Sequence, residues 1–279
     1  MTECKAKYTT NYVITSGWWC GDSKNEKRVR HGSESIREVD FFNQWKTSIL
    51  ANTNPLKIMV LDSASEIKPS TQQRQGIEFI SINKNPGHST YHTGKYSGYM
   101  RSIIMGITYA KLCDADYWVY VEQDVLLKGE GIIEHCISKM DKPFMFGSGE
   151  GTPQFLQQSL IIIRKDGFDQ FLTRLNNIKS PDSLIAPETK FLIATSTVFQ
   201  LIPEWIYHQL VNKTRMTWRI KKYLFRMLPI FKGFDELPVG FGRTRPIKFE
   251  APYYYFQHGS EDELKHHYNN KNNYDKKLA

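Results

Sequence analysis

The feature that most constrains this chain is a five-residue run, Tyr117-Trp118-Val119-Tyr120-Val121, followed at once by Glu122-Gln123-Asp124. A strand covered on both faces reads as unbroken apolar sequence rather than as alternation, and such strands belong to parallel sheets flanked by helices. Two acids separated by one residue then stand where the chain leaves the sheet.

The surrounding pattern agrees with a central parallel strand. Asn11 to Ser16 reads as a strand ending at Gly17, Leu56 to Leu61 as a second ending at Asp62, and Ile77 to Ile82 as a third before the turn-rich Asn83 to Gly87. Between them Val39 to Leu50, with Val39, Phe41, Phe42, Trp45 and Ile49, has helical spacing, as does Tyr96 to Leu112. Beyond the acids, Ile132 to Met140 and Phe168 to Leu175 read as helices, Phe144 to Phe146 and Leu160 to Ile163 as strands, and Gly147 to Thr152 as a loop. Alternating strands and helices predict an α/β fold, with a Rossmann-type, mostly parallel central sheet and ligands beyond the carboxyl ends of its strands. From Asn212 onward Lys213, Arg215, Arg219, Lys221, Lys222, Arg226 and Lys232 interleave with Trp218, Tyr223, Leu224 and other apolar residues, which predicts a C-terminal basic helical extension. Residues 261–279 read as a frayed tail, with His266 and His267 solvated.

Composition narrows the function classes. The chain has 279 residues, 40% hydrophobic, with a formal charge of +8, which suits one globular domain with a preference for polyanionic partners. Its four cysteines, Cys4, Cys20, Cys113 and Cys136, form no CxxC pair and read as reduced thiols, placing the protein in the cytoplasm. With no leader and no apolar run near the ~20 residues of a membrane span, the expected protein is soluble or peripheral at a membrane surface. The sequence contains no GxxxxGK[ST], HExxH or GxSxG signature, which removes support for P-loop hydrolysis, zincin chemistry and serine hydrolysis.

The acids point to metal chemistry. A nucleoside diphosphate is best held with a hard divalent cation, and hard cations take carboxylate ligands. With Glu122 and Asp124 at the end of a buried strand, and with Asn85, Gly87, Arg101, Gly106 and Ala110 before it, residues Tyr12 to Asp124 resemble the GT-A-fold nucleotide-sugar glycosyltransferases. Those enzymes carry an Asp-x-Asp motif or a variant in this strand context, and the departure here is Glu122 in the first place. The resemblance implies one catalytic domain, 1–279, with a nucleotide-sugar half at 11–127 and an acceptor half at 128–260. It implies Mn²⁺ or Mg²⁺ held by Asp124 and Glu122, with Glu122 acting on the metal or the ribose. It assigns the donor to Asp62, to Arg101 and to the backbone of Thr15, Ser16 and Gly17.

Other candidates come from residue chemistry. His258 ends the aromatic run Tyr253 to Gln257 and suits a Mn²⁺-like ion, as a late-segment His does in similar enzymes. Arg243 and Arg245 in Gly242-Arg243-Thr244-Arg245-Pro246 offer guanidinium forks to phosphate, and a solvated basic loop is the alternative. Glu188, behind Pro187 at a helix start, is the candidate base for an acceptor hydroxyl, with Asp182 and Glu150 as substitutes and a dipole-favoured helix acid as the plain alternative. Trp18 and Trp19 read as core more than as a stacking platform. The basic aromatic segment is compatible with an anionic membrane carrying a lipid-linked acceptor and with a packed helix that has a solvated face.

The partners expected are therefore a nucleotide-sugar donor and a glycan or glycoconjugate acceptor, with no nucleic acid. Two rivals stand. A sugar-phosphate nucleotidyltransferase would need a Gly- and Arg-rich loop where Gly17-Trp18-Trp19-Cys20 stands. A non-catalytic basic carbohydrate- or nucleic-acid-binding protein would make the acidic turn incidental.

Overall fold

The computed structural model describes residues 10–21, 31–89, 91–210 and 215–278; Cys4, Lys213 and the middle of the polar loop before Glu38 lie outside them. In chain order the elements are β1 (Tyr12–Trp18), α1 (Phe41–Asn52), β2 (Lys57–Asp62), β3 (Glu78–Ser81), β4 (Gly87–His88), β5 (Tyr91–His92), α2 (Gly98–Leu112), β6 (Tyr117–Val121) and β7 (Val125–Lys128). They continue through α3 (Ile132–Ile137), β8 (Phe144–Ser148), β9 (Leu156–Arg164), α4 (Phe168–Asn177), α5 (Pro187–Thr195), α6 (Thr197–Gln200), α7 (Glu204–His208), α8 (Arg215–Phe231), β10 (Asp235–Glu236), β11 (Phe241–Gly242), β12 (Tyr254–Gln257) and α9 (Glu261–Leu278).

The central sheet has seven strands in the order β10-β8-β9-β6-β1-β2-β3. Neighbours are parallel except for the two pairs made by β9, which runs against both β6 and β8. The near-continuous apolar run of β6 has the cause inferred from sequence: its side chains feed two cores. Val119 and Val121 join Tyr12, Ile14, Phe42 and Trp45 on one face, while Trp118 and Tyr120 join Val13, Ile103 and Ile107 on the other. Helix α2 can approach β1 closely because residue 106 is glycine, where a Cβ would lie 2.7 Å from the Trp118 indole nitrogen that donates to Thr15 Oγ1.

A second sheet, β11-β12-β7, is absent from the sequence reading. Strand β7 starts directly after the acids and pairs antiparallel with β12, so the last third of the chain returns to the end of β6. This corrects the expected C-terminal extension. The basic segment does form a helix, α8, but β10, β11, β12 and α9 follow it and belong to the two sheets and their cover.

The solvated position expected of His267 is likewise corrected. Residues Glu261–Leu278 are helical, with Glu261, Asp262 and Glu263 in the first turn, where the helix dipole favours acids. His267 is buried, its Nδ1 lying 3.0 Å from Tyr254 Oη, because Leu264 and His267 face the aromatic β12. Trp18 is core, as expected. Among the described residues no helix is long and apolar enough to cross a membrane.

Candidate active site

Strand β6 ends in a tight turn, Val125 N–H donating to Glu122 C=O at 3.0 Å, which places Glu122 and Asp124 on either side of Gln123. Gln123 faces the loop after β1: its Oε1 accepts from Trp19 N–H at 2.7 Å and its Nε2 donates to Trp19 C=O at 3.2 Å. The two carboxylates are left for the opposite side, where β12 arrives. Pairing of Gln257 with Val125 brings His258 opposite Asp124, and His258 Nε2 lies 3.3 Å from Asp124 Oδ2.

Gln257, which the sequence reading did not single out, ties the cluster together. Its Nε2 donates to Glu122 Oε2 at 2.7 Å and its Oε1 accepts from Arg243 Nε at 3.2 Å. The only local signal is a polar residue closing an aromatic strand one position before His258. Arg243 itself is aimed by Gln157, whose Oε1 accepts its backbone N–H at 2.7 Å.

The electrostatics follow from burial around that single guanidinium. Burial pushes the Asp124 carboxyl up to about 6, against the pull of the Gln257 hydrogen bond and of Arg243 and Arg37. Burial, then the charges of Arg243, His31, Arg37 and Arg245, depress His258 to about 3, so its imidazole is neutral at physiological pH and keeps a lone pair for a metal or proton. The contact with Asp124 is accordingly not an ion pair. His258 takes a left-handed backbone (φ 57°) and stacks on His31 with ring centroids 5.4 Å apart. Gly32 sits against that corner, where a Cβ would come within 2.6 Å of the His258 carbonyl.

Among the described residues no group of three or more His, Cys, Asp or Glu side chains is arranged to hold a metal ion. Of the expected Glu122, Asp124 and His258, the last two stand together, while Gln257 donates to one oxygen of Glu122. What remains suits a partly supplied cation site. Asp124 Oδ1 is buried with no hydrogen-bond partner, next to a neutral imidazole. Mg²⁺-like ions are commonly held by one or two carboxylates together with substrate phosphates and water, so two protein ligands fit that pattern.

Glu188 lies in the first turn of α5 behind Pro187, as the helix-start reading expected, and it is buried. Burial raises its pKa, with a backbone hydrogen bond and then the charges of Arg243 and Lys221 pulling it back. Its two substitutes are elsewhere engaged. Asp182 is fully buried in a 2.7 Å ion pair with Lys190 and accepts from Ser97 N–H and Oγ at 2.7 Å, capping the start of α2; Glu150 is on an exposed turn.

The remaining donor candidates are built into the scaffold. Thr15, Ser16 and Gly17 stay within β1, paired with Met59, Val60 and Leu61, and Thr15 and Ser16 are buried. Asp62 is also buried; one oxygen accepts from Ser65 N–H and Oγ, the other from Ser81 Oγ at 2.8 Å. The first strand runs two residues further than expected, so the chain leaves the sheet at Trp19 and not at Gly17. Arg101 donates to the carbonyls of Tyr96 and Thr93, closing the loop before α2. Arg245 donates to the carbonyls of Gly242, Thr244 and Gln257 and pairs with Glu263 on α9, which makes it a brace, while Arg243 faces the cluster.

No family model matches the sequence, and a search of curated proteins gave no match. Solved structures overlap it in outline. The galactosyltransferase LgtC, in complex with donor and acceptor sugar analogues, is 11% identical over 81% of this chain and 72% of its own, with a TM-score of 0.38. Staphylococcus aureus TarS 1-349 in complex with UDP is 11% identical over 78% of this chain and 72% of its own, at 0.44. A cytidylyltransferase from Leptospira borgpetersenii is 11% identical over 82% of this chain and 76% of its own, at 0.34.

Proposed function

We propose that this chain is a glycosyltransferase that uses a nucleotide-diphosphate sugar and a divalent cation, Mn²⁺ or Mg²⁺, to glycosylate a hydroxyl of a glycan or glycoconjugate. The observation that carries the reading is the convergence, at the carboxyl edge of the sheet, of a partnerless buried Asp124 oxygen, a neutral His258 3.3 Å from the other Asp124 oxygen, and the Arg243 guanidinium held there by Gln257. A negative leaving group and an acceptor proton would meet opposite charges there in one crevice.

In this reading Asp124 and His258 would hold the cation, which would supply positive charge beside the departing diphosphate. Arg243 sits where it can take the charge that grows on that leaving group, and Gln257 fixes Arg243 and Glu122 relative to one another. Glu188 accepts the acceptor's hydroxyl proton as the new bond to the anomeric carbon forms and the carbon–oxygen bond to the diphosphate breaks with its electron pair. Its raised pKa brings it closer to the operating pH of a general base. Displacement from the face opposite the leaving group inverts the anomeric configuration.

Calorimetric titration with UDP, GDP and CDP and their sugar conjugates, each with Mn²⁺, Mg²⁺ or EDTA, tests the reading. Metal-dependent binding of one nucleotide is expected. Absence of binding in every arm would remove the transferase reading and leave a basic binding protein.

A further inference from the structure

Helix α8 has two unlike sides. Leu224 is buried, and Ile220, Phe225 and Leu228 pack against the core around α2, α4 and α5. The opposite stripe holds Trp218, Arg219, Lys222, Tyr223, Arg226 and Ile230, all exposed and three to four residues apart around the helix. Trp218, Tyr223 and Ile230 are 65%, 69% and 74% exposed, and Lys222 stands 5.0 Å over the Trp218 ring. Helix α8 carries five basic residues and no acid. Exposing two aromatic rings and an isoleucine on one cationic face is costly unless something covers them.

We infer that this face docks on an anionic lipid surface. Amphipathic helices that lie in a bilayer interface combine aromatic and aliphatic tips, which enter the acyl boundary, with Lys and Arg, which meet the headgroups. A nucleic acid would use the cations and the rings but has no use for an exposed aliphatic Ile230. The helix is also anchored at both ends to the segment before it: Thr217 Oγ1 donates to Gln209 C=O at 2.7 Å and Ser196 Oγ to Phe231 C=O at 2.7 Å.

The inner side of α8 packs on the cluster that holds Phe191 and Leu192 of α5, the helix that carries Glu188, and Lys221 on α8 is partly buried. A bilayer on the outer face of α8 would lie one helix diameter, about 10 Å, from that cluster. The acceptor class that follows is a hydroxyl on a lipid-linked molecule. This last step rests on the transferase reading; the docking itself does not.

The test is co-sedimentation of the full chain with vesicles of phosphatidylcholine alone and of phosphatidylcholine mixed with phosphatidylglycerol. Binding is expected only to the mixed vesicles, weakening as salt is raised. Each basic side chain at an anionic surface contributes about fivefold in partitioning, so R219Q/K222Q/R226Q should bind about a hundredfold more weakly. W218A/Y223A/I230A should lose binding even at low salt while melting like the parent, since all three residues are exposed. No binding to the mixed vesicles, binding by the two variants as strong as the parent's, or capture of a single-stranded oligonucleotide in place of vesicles would overturn docking. Nucleotide titration with Mn²⁺ on the same samples separates the two readings: vesicle failure with nucleotide bound overturns docking alone, and the converse overturns only the transferase reading and the acceptor class that rests on it.

Discussion

At the scale of single residues, three side chains do different work and their substitutions separate. Asp124 carries a buried, partnerless oxygen and burial pushes its carboxyl up to about 6, so Asp124→Asn should melt at or above the parent at neutral pH while turnover and metal-dependent nucleotide binding fall together. Loss of charge stabilisation worth several kcal/mol predicts a drop in turnover of about three orders of magnitude or more. Burial penalises the Glu188 charge in the same way. A carboxyl whose folded pKa lies above its unfolded one costs nothing while protonated in both states, and its penalty grows as pH rises through the ordinary carboxylate range to the raised value. Glu188→Gln should therefore melt above the parent at mildly alkaline pH and equal to it at strongly acidic pH, with turnover lower by about 10²–10⁴. Equal melting at both pH values would remove the burial argument. Gln257→Leu removes a donor to Glu122 and the acceptor of an Arg243 N–H at once, so urea unfolding should show a loss of about 1–3 kcal/mol.

Among the elements, α5 is the most constrained, every one of its residues being buried. Its Lys190 donates to Ser180 C=O at 2.8 Å and pairs with Asp182, which in turn caps α2 through Ser97, so one buried pair fixes both helices that flank the crevice. Removing one partner of a buried pair leaves an uncompensated charge, which costs about 3–5 kcal/mol. Lys190→Met should lose that much stability by denaturant titration. The double variant Asp182→Asn with Lys190→Met, which keeps an acceptor for Ser97, should recover most of it; no recovery would place the loss in packing and not in charge.

For the whole molecule, the important fact is that the chain closes on itself. Strand β12 and helix α9 complete the sheet that starts at β7 and cover one of the two cores. Ending the chain at Lys232 should consequently abolish cooperative thermal unfolding, as seen by circular dichroism, and should not simply shorten a tail. A truncated chain that melted like the parent would contradict the role given to β12.

What the sequence determined by itself was whatever is written in local pattern. The spans of β1, β2, β3, α1, α2 and β6 were legible because a two-sided buried strand and an amphipathic helix each leave a periodic trace, and the acids were legible because they end such a strand. Pro187 marked the start of α5 for the same local reason. What only the tertiary structure decided was which distant residues meet. Gln257 and Glu122 are 135 positions apart, and their contact exists because β12 pairs antiparallel with β7 in one register. A shift of one residue in that pairing would point Gln257 away from Glu122, since successive strand side chains face opposite sides. Neither composition nor periodicity records such a register. The antiparallel course of β9, the occupation of Asp62 by serines and the return of the chain after α8 are of the same kind. Each is fixed by pairing across the fold, where the cost of an unpaired backbone or a buried carboxylate selects one partner among many that the local sequence would allow.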